Sequence, residues 1–222
     1  MRNFKWLLLF VSLNVFADKP LHLKSIDSDD KTKLIFGNEL NFYSNTVYEN
    51  TSLQYYGHSW NVGIQSLNIR LSGSQAQNYE SDTYFNLGKS FEIFDKTSLE
   101  FSGMVGTNFD GQLSQLHATG STTVNYQVFT NMSVYGGMYY VNDSLATIHQ
   151  PLNFMSGFKL KLLEKIVIVG DYYGGYNNLS GSMVNVYYKL TPNFRPYVGI
   201  QVPEKNSGNE FCGTVGFSLK LN

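Results

Sequence analysis

Seven charged side chains fall on the polar side of segments in which apolar and polar residues alternate, and their grouping points to an electrostatic field rather than a reaction centre. Glu92 and Glu100 flank the short stretch Asp95-Lys96-Thr97, whereas Lys159, Lys161, Lys189, Arg195 and Lys220 come from segments nearer the end of the chain, most of them within a few residues of a short turn. If these side chains share one enclosed space, acid lines one wall and base another. A transverse field of that kind filters solutes by charge and dipole, because low-dielectric walls focus it across a narrow opening. Asp171 has the same parity and is placed to pair with a lysine of a neighbouring segment. The competing expectation is that several of these charges are solvated rim residues.

Covalent and metal chemistry find less support. His22, His58, His117 and His149 are dispersed, and Cys212 is the single cysteine, so no metal-ligand spacing, internal disulfide or cofactor is implied. A rim pair of His149 with Asp143 or Asp110 is the arrangement closest to an acid-base site.

The elements that would position these residues are β-strands. Leu116, Ala118, Gly120, Thr122, Val124, Tyr126 and Val128 alternate with His117, Thr119, Ser121, Thr123, Asn125 and Gln127, the period-2 pattern of a strand with an apolar and a polar face. Similar stripes predict strands near 34–43, 50–57, 60–71, 83–93, 98–107, 115–129, 132–141, 152–162, 166–173, 182–190, 194–202 and 211–221. Between Ile64 and Leu67 the apolar parity slips, which a bulge near Gln65-Ser66 would absorb and which puts Leu67, Ile69 and Leu71 on the apolar face. Tight connections at Asp95-Lys96-Thr97, Thr130-Asn131, Glu164-Lys165 and Thr191-Pro192-Asn193 take turns with roomier loops at 72–82, 108–114, 142–151, 174–181 and 203–209.

Charged residues make up 15% of the chain and aromatics another 15%. A soluble domain carries about 25% charged residues, so the deficit predicts surface that does not meet water. No segment after the first few residues is apolar enough for a helical span, and the other structure that satisfies all its backbone groups in lipid is a closed barrel. The expectation is therefore an all-β, transmembrane, antiparallel up-and-down barrel of about twelve strands, with ten as the alternative. Tyr43, Trp60, Tyr126, Tyr140, Tyr172 and Tyr188 have the parity of an interfacial girdle. Tyr135, Tyr139, Tyr173, Tyr187 and Tyr197 point inward, as filling or as a stacking platform for sugars, while the inward Gly37, Gly88, Gly106, Gly137, Gly157, Gly199 and Gly216 favour space.

The two ends of the chain address its destination. Met1-Arg2-Asn3-Phe4-Lys5 followed by apolar Trp6 to Leu13 reads as a signal peptide cut after Ala17. Residues 18–33 form a polar, flexible periplasmic lead-in, and residues 34–222 form the barrel. Removal of the first 17 residues takes Arg2 and Lys5 with it and leaves 14 basic against 17 acidic side chains, so no basic surface argues for nucleic acid. Thr214, Gly216, Leu219 and Leu221 carry a polar-x-Gly-x-x-apolar-x-apolar pattern on the last strand.

That terminal pattern resembles the insertion signal of Gram-negative outer-membrane β-barrel proteins. With Tyr187 to Phe194 and Val198 to Pro203 as its last hairpin, the chain resembles small porin-like barrels of about twelve strands. The terminus departs from the family in ending Leu221-Asn222 rather than in an aromatic. The resemblance implies a passive pore or diffusion channel for small polar solutes, located in the cell outer membrane. Its partners would be outer-membrane lipid and the barrel-assembly machinery, with a homo-oligomer possible but not indicated. The alternative is a closed structural or adhesive barrel working through its outer loops. A rim hydrolase is the third reading, and the histidines do not reproduce the His-x-Ser pattern of the outer-membrane phospholipases.

Overall fold

Alternation along each segment gives twelve strands in the computed structural model, which describes residues 33–72, 82–108, 116–142, 151–177, 179–205, 207 and 210–221. They are β1 (Lys33–Phe42), β2 (Val47–Tyr56), β3 (Trp60–Ser72), β4 (Asp82–Phe94), β5 (Thr97–Asn108), β6 (His117–Phe129), β7 (Met132–Val141), β8 (Leu152–Leu163), β9 (Ile166–Tyr173), β10 (Gly181–Tyr188), β11 (Phe194–Pro203) and β12 (Cys212–Leu221). Each strand pairs antiparallel with its neighbours in sequence, and β1 pairs with β12 from Leu34–Leu221 to Phe42–Gly213, so the sheet closes into a barrel without an edge. Closure settles the strand number at twelve rather than ten. The expected signal peptide and the lead-in up to residue 32 lie outside the described residues, as do most of the loops at 73–81, 109–115 and 143–150 and the pair His149 and Asp143.

Parity divides the barrel into two faces. Asn41, Asn50, Gln54, Asn61, Gln65, Asn86, Thr119, Asn125, Asn153, Asn185, Gln201 and Thr214 are buried and point inward, while Ile64, Phe85, Val124, Phe154, Val198 and Ile200 each expose about half their surface on the outside. An apolar exterior around a polar interior inverts the arrangement of a soluble domain and suits hydrocarbon as the outer solvent. Trp60, Tyr126, Tyr140 and Tyr188 stand on the outer face near strand ends, where interfacial girdle residues belong.

Two sequence readings of local structure need correction. β2 begins at Val47, three residues earlier than its stripe predicts, because a four-residue connection closes with Tyr43 N donating to Thr46 O at 2.9 Å. The β3 bulge sits at Leu67-Asn68, opposite Asn50, rather than at Gln65-Ser66, since the register jumps from Thr51–Ser66 to Glu49–Ile69. Leu67 therefore faces the interior and is fully buried. An apolar residue there escapes a parity reading because the interior on this side is itself apolar.

The outer-loop half of the barrel is filled. Leu67, Tyr84, Met104, Tyr139, Val141, Met155 and Tyr173 form a buried cluster with Leu179 from the connection between β9 and β10. Gly175, at φ 113°, turns that connection inward, and a side chain there would collide with Asn153. Tyr139 Oη donates to Gly174 O at 2.7 Å and accepts from Asn177 Nδ2 at 3.1 Å, which fixes the connection across the lumen.

Parity on β12 gives a direct test. Leu219 pairs with Phe36 and Phe194 on the outer face, whereas Ser218 pairs with Gly37 and Arg195 on the inner one. Replacing Leu219 and Leu221 with Asp puts charge on the lipid face, where a basic residue costs about 2–4 kcal/mol at mid-membrane, an acidic one less, and either less still near the interface. Assembly, read as heat-modifiable gel migration, is expected to fail, while Ser218→Asp assembles normally.

Candidate functional site: the luminal wall

The inner wall is organised by a unit that occurs three times. Tyr84 on β4 lies across its paired Gly106 on β5, and its Oη meets Nδ1 of His117 on β6 at 3.0 Å. Tyr135 on β7 crosses Gly157 on β8 and donates to Oδ1 of Asp171 on β9. Tyr197 on β11 crosses Gly216 on β12 and donates to Oε2 of Glu39 on β1 at 2.7 Å. In each, the glycine is the slot that lets the ring lie flat against the sheet. A Cβ at Gly216 would stand 2.5 Å from Tyr197 Cζ, and at Gly106 and Gly157 it would collide with the ring of Tyr84 or Tyr135. These glycines do not open space, as the sequence reading had it; they receive a tyrosine. Gly37, Gly88 and Gly199 likewise receive Ser52, Asn61 and Asn185.

The third unit spans the seam where the barrel closes. Glu39 Oε1 also accepts from Asn41 Nδ2 at 2.8 Å and Asn50 Nδ2 at 2.9 Å, and Asn41 Oδ1 accepts from Thr214 Oγ1 at 2.8 Å. Side chains from β1, β2, β11 and β12 thereby hold one buried carboxylate. Such a group is tolerable inside a barrel only when donors replace water. Cys212 is buried beside Asn41, a small residue in the same seam.

The charges expected to line the lumen all lie on the inward parity. Glu92 and Glu100 are on β4 and β5, with Glu100 buried and Glu92 exposed toward the short-turn end. Lys159 and Lys161 are on β8, Lys189 follows β10, Arg195 is on β11 and Lys220 on β12, all half-buried. In a ring of twelve, β5 and β11 are opposite each other, so the acid pair faces the base across the barrel. Asp171 stands apart from this set: its hydrogen-bond donor is Tyr135 rather than a lysine, and Oδ2 has no hydrogen-bond partner.

Sequence reasoning missed Glu39, whose inward parity was readable from Gly37 and Asn41. It also missed the pairing of Tyr84 with His117, which only the register reveals. The inward tyrosines expected either to fill or to stack sugars are engaged with one another: Tyr187 and Tyr197 have ring centroids 4.7 Å apart, and Tyr139 and Tyr173 5.5 Å apart.

No protein-family model and no curated protein sequence matches the chain. Among solved structures, a KdgM porin aligns with a TM-score of 0.66 at 11% identity over 85% of this chain and 99% of the porin. A NanC porin aligns at 0.62 and 10% identity over 85% of this chain and 100% of its own. An active-site variant of outer membrane phospholipase A from Escherichia coli follows at 0.51 and 16% identity over 91% and 93%.

If the seam network secures closure, removing one donor is measurable. Tyr197→Phe is expected to cost about 1.5–3 kcal/mol, the range for a hydrogen bond to a charged group, read as a lower urea midpoint in detergent micelles. Gly216→Leu, which also evicts the ring, is expected to cost more. The chain is a closed antiparallel barrel of twelve strands, and its fold is similar to that of the KdgM and NanC porins.

Proposed function

We propose that this chain is an exported outer-membrane protein, with its signal peptide cut after Ala17, that works as a narrow passive pore for small polar solutes. The observation that carries this reading is the row of inward polar side chains on β1, β11 and β12, from Lys220 and Arg195 at the short-turn end through Glu39 and Thr214 to Asn41 and Gln201, with Tyr197 and Cys212 set among them. Twelve strands lie between the eight whose interior side chains fill and the sixteen that leave an aqueous channel. The porin neighbours, one of them a KdgM porin in complex with disordered oligogalacturonate, support a polar solute. The acid on β4 and β5 and the base on β8 to β12 act on that solute as a charge filter at the short-turn end.

A closed structural or adhesive barrel is the second reading, favoured by the apolar cluster around Tyr139 and Leu179 that occupies the outer half. A hydrolase finds little support: among the described residues the inward histidine is His117, which is buried and faces Tyr84.

Two measurements in planar bilayers separate these readings. The wild-type barrel is expected to conduct weakly, and Tyr139→Ala with Leu179→Ala to conduct more, because these side chains narrow the outer half. A barrel that inserts but conducts in neither form is a closed one. In a salt gradient, Lys159→Glu with Lys161→Glu is expected to move the reversal potential toward cation preference, an effect that shrinks as added salt screens the charges. A conducting barrel with unchanged selectivity would place both lysines outside the constriction.

A further inference from the structure

The outer face carries a second kind of glycine. Gly103, Gly120 and Gly136 point outward and form the floor of a trough of about 770 Å³ that crosses β3 to β8, walled by Trp60, Phe101 and Tyr140. Unlike Gly106, Gly157 and Gly216, they receive no side chain of this protein. A Cβ at Gly136 would meet nothing within 4 Å, and at Gly103 and Gly120 only a backbone oxygen at 3.6 and 3.7 Å. None has positive φ, so the backbone does not demand glycine either. What the three absent side chains leave is room outside the barrel.

The trough has one charged end. Lys89 shares the outward parity of Leu87 and Phe91 and pairs with Trp60, the first residue of β3. Lysine on a lipid face is tolerable only near the interface, where its cost falls from about 2–4 kcal/mol to about 0–1 kcal/mol. This places the end formed by Lys89 and Trp60 at the headgroup level of the short-turn side. Its Nζ is held over the Trp60 ring, 4.1 Å from the centroid, and donates to Ser59 Oγ at 2.8 Å. An ammonium at headgroup level, joined to an apolar trough that runs obliquely toward Tyr140 and Leu152, matches a molecule with a phosphate at one end and a hydrocarbon chain at the other.

We propose that this trough binds an anionic phospholipid of the leaflet on the short-turn side, its phosphate on Lys89 Nζ and an acyl chain along Gly103, Gly120 and Gly136. The site rests on the membrane-spanning reading and is independent of whether the lumen conducts. The ammonium selects the anionic headgroup, and the glycines admit the chain closer to the sheet than a surface of leucines would.

Trp60 reports on the site. The sequence has two tryptophans, Trp6 and Trp60; removal of residues 1–17 leaves only the one at the trough, and a Trp6→Phe chain keeps it so in any unprocessed protein. In phosphatidylcholine vesicles, acyl-brominated phosphatidylglycerol is expected to quench Trp60 at about a fivefold lower mole fraction than acyl-brominated phosphatidylcholine, the size of one lysine's attraction to anionic lipid. Lys89→Gln is expected to abolish that preference, and Gly120→Leu to weaken quenching by both lipids, with heat-modifiable migration retained in each variant. Equal quenching by the two lipids in the Trp6→Phe chain, or a preference that survives Lys89→Gln, would overturn the proposal. So would a dimer in sedimentation equilibrium whose formation shields Trp60 from both lipids, which would assign the trough to a second copy. A chain that does not associate with the vesicles at all would count against the membrane reading itself.

Discussion

A sheet surrounded by hydrocarbon cannot leave an edge unpaired, and the pairing of β1 with β12 is the contact on which this molecule depends. Each open backbone group in lipid costs several kcal/mol, so the barrel either closes completely or does not form. The register that closes it runs from Leu34–Leu221 to Phe42–Gly213 and leaves lipid-facing Leu219 against Phe36. At the same seam, Glu39 gathers donors from Asn41, Asn50 and Tyr197. Backbone closure provides the energy, and the carboxylate network specifies one register, because a shift by a single residue would turn Glu39 outward into lipid.

The Tyr–Gly–acceptor units extend that logic around the ring. Each ties three consecutive strands with one side chain, and together they involve nine of the twelve: β4 to β6, β7 to β9, and β11 through β12 to β1. A tyrosine lying along the wall occupies less of the lumen than one projecting across it. The bulky aromatics and the abundant glycines are therefore one feature rather than opposing influences on pore width. What narrows the barrel is the apolar cluster closed by Leu179 in the outer half, to which Tyr84 belongs and against which Tyr135 packs.

Glycine has opposite meanings on the two faces. At the inward Gly106, Gly157 and Gly216 a Cβ would collide with a tyrosine ring; at the outward Gly103, Gly120 and Gly136 it would meet almost nothing, although the outward Gly170 receives the Phe158 ring. Gly106, Gly157 and Gly216 serve the register, and Gly103, Gly120 and Gly136 shape the surface offered to the bilayer. Charge divides less cleanly: Glu92, Glu100, Lys159, Lys161, Arg195 and Lys220 take the luminal parity toward the short-turn end, whereas Lys89 takes the outer parity at the boundary and Glu49 the outer parity with Asn38 Nδ2 donating to it at 2.6 Å.

The sequence by itself determined the barrel class, a strand number near twelve that closure then fixed, the direction of most side chains and the inward set of charges, because a strand's period of two is local and lipid outside the barrel enforces it at nearly every position. Gly216 and Leu219 could be assigned to their faces from alternation alone. Tertiary structure decided which residues are neighbours across strands: that Tyr135 reaches Asp171 over Gly157, that Asn50 stands opposite a bulge at Leu67-Asn68, and that Leu179 folds into the lumen. Cross-strand register depends on turn length and on closure of the whole ring, sums over the entire chain that no single segment's alternation contains. The interior itself is part apolar, so the hydrophobicity of Leu67 cannot say which face it occupies until that register is known.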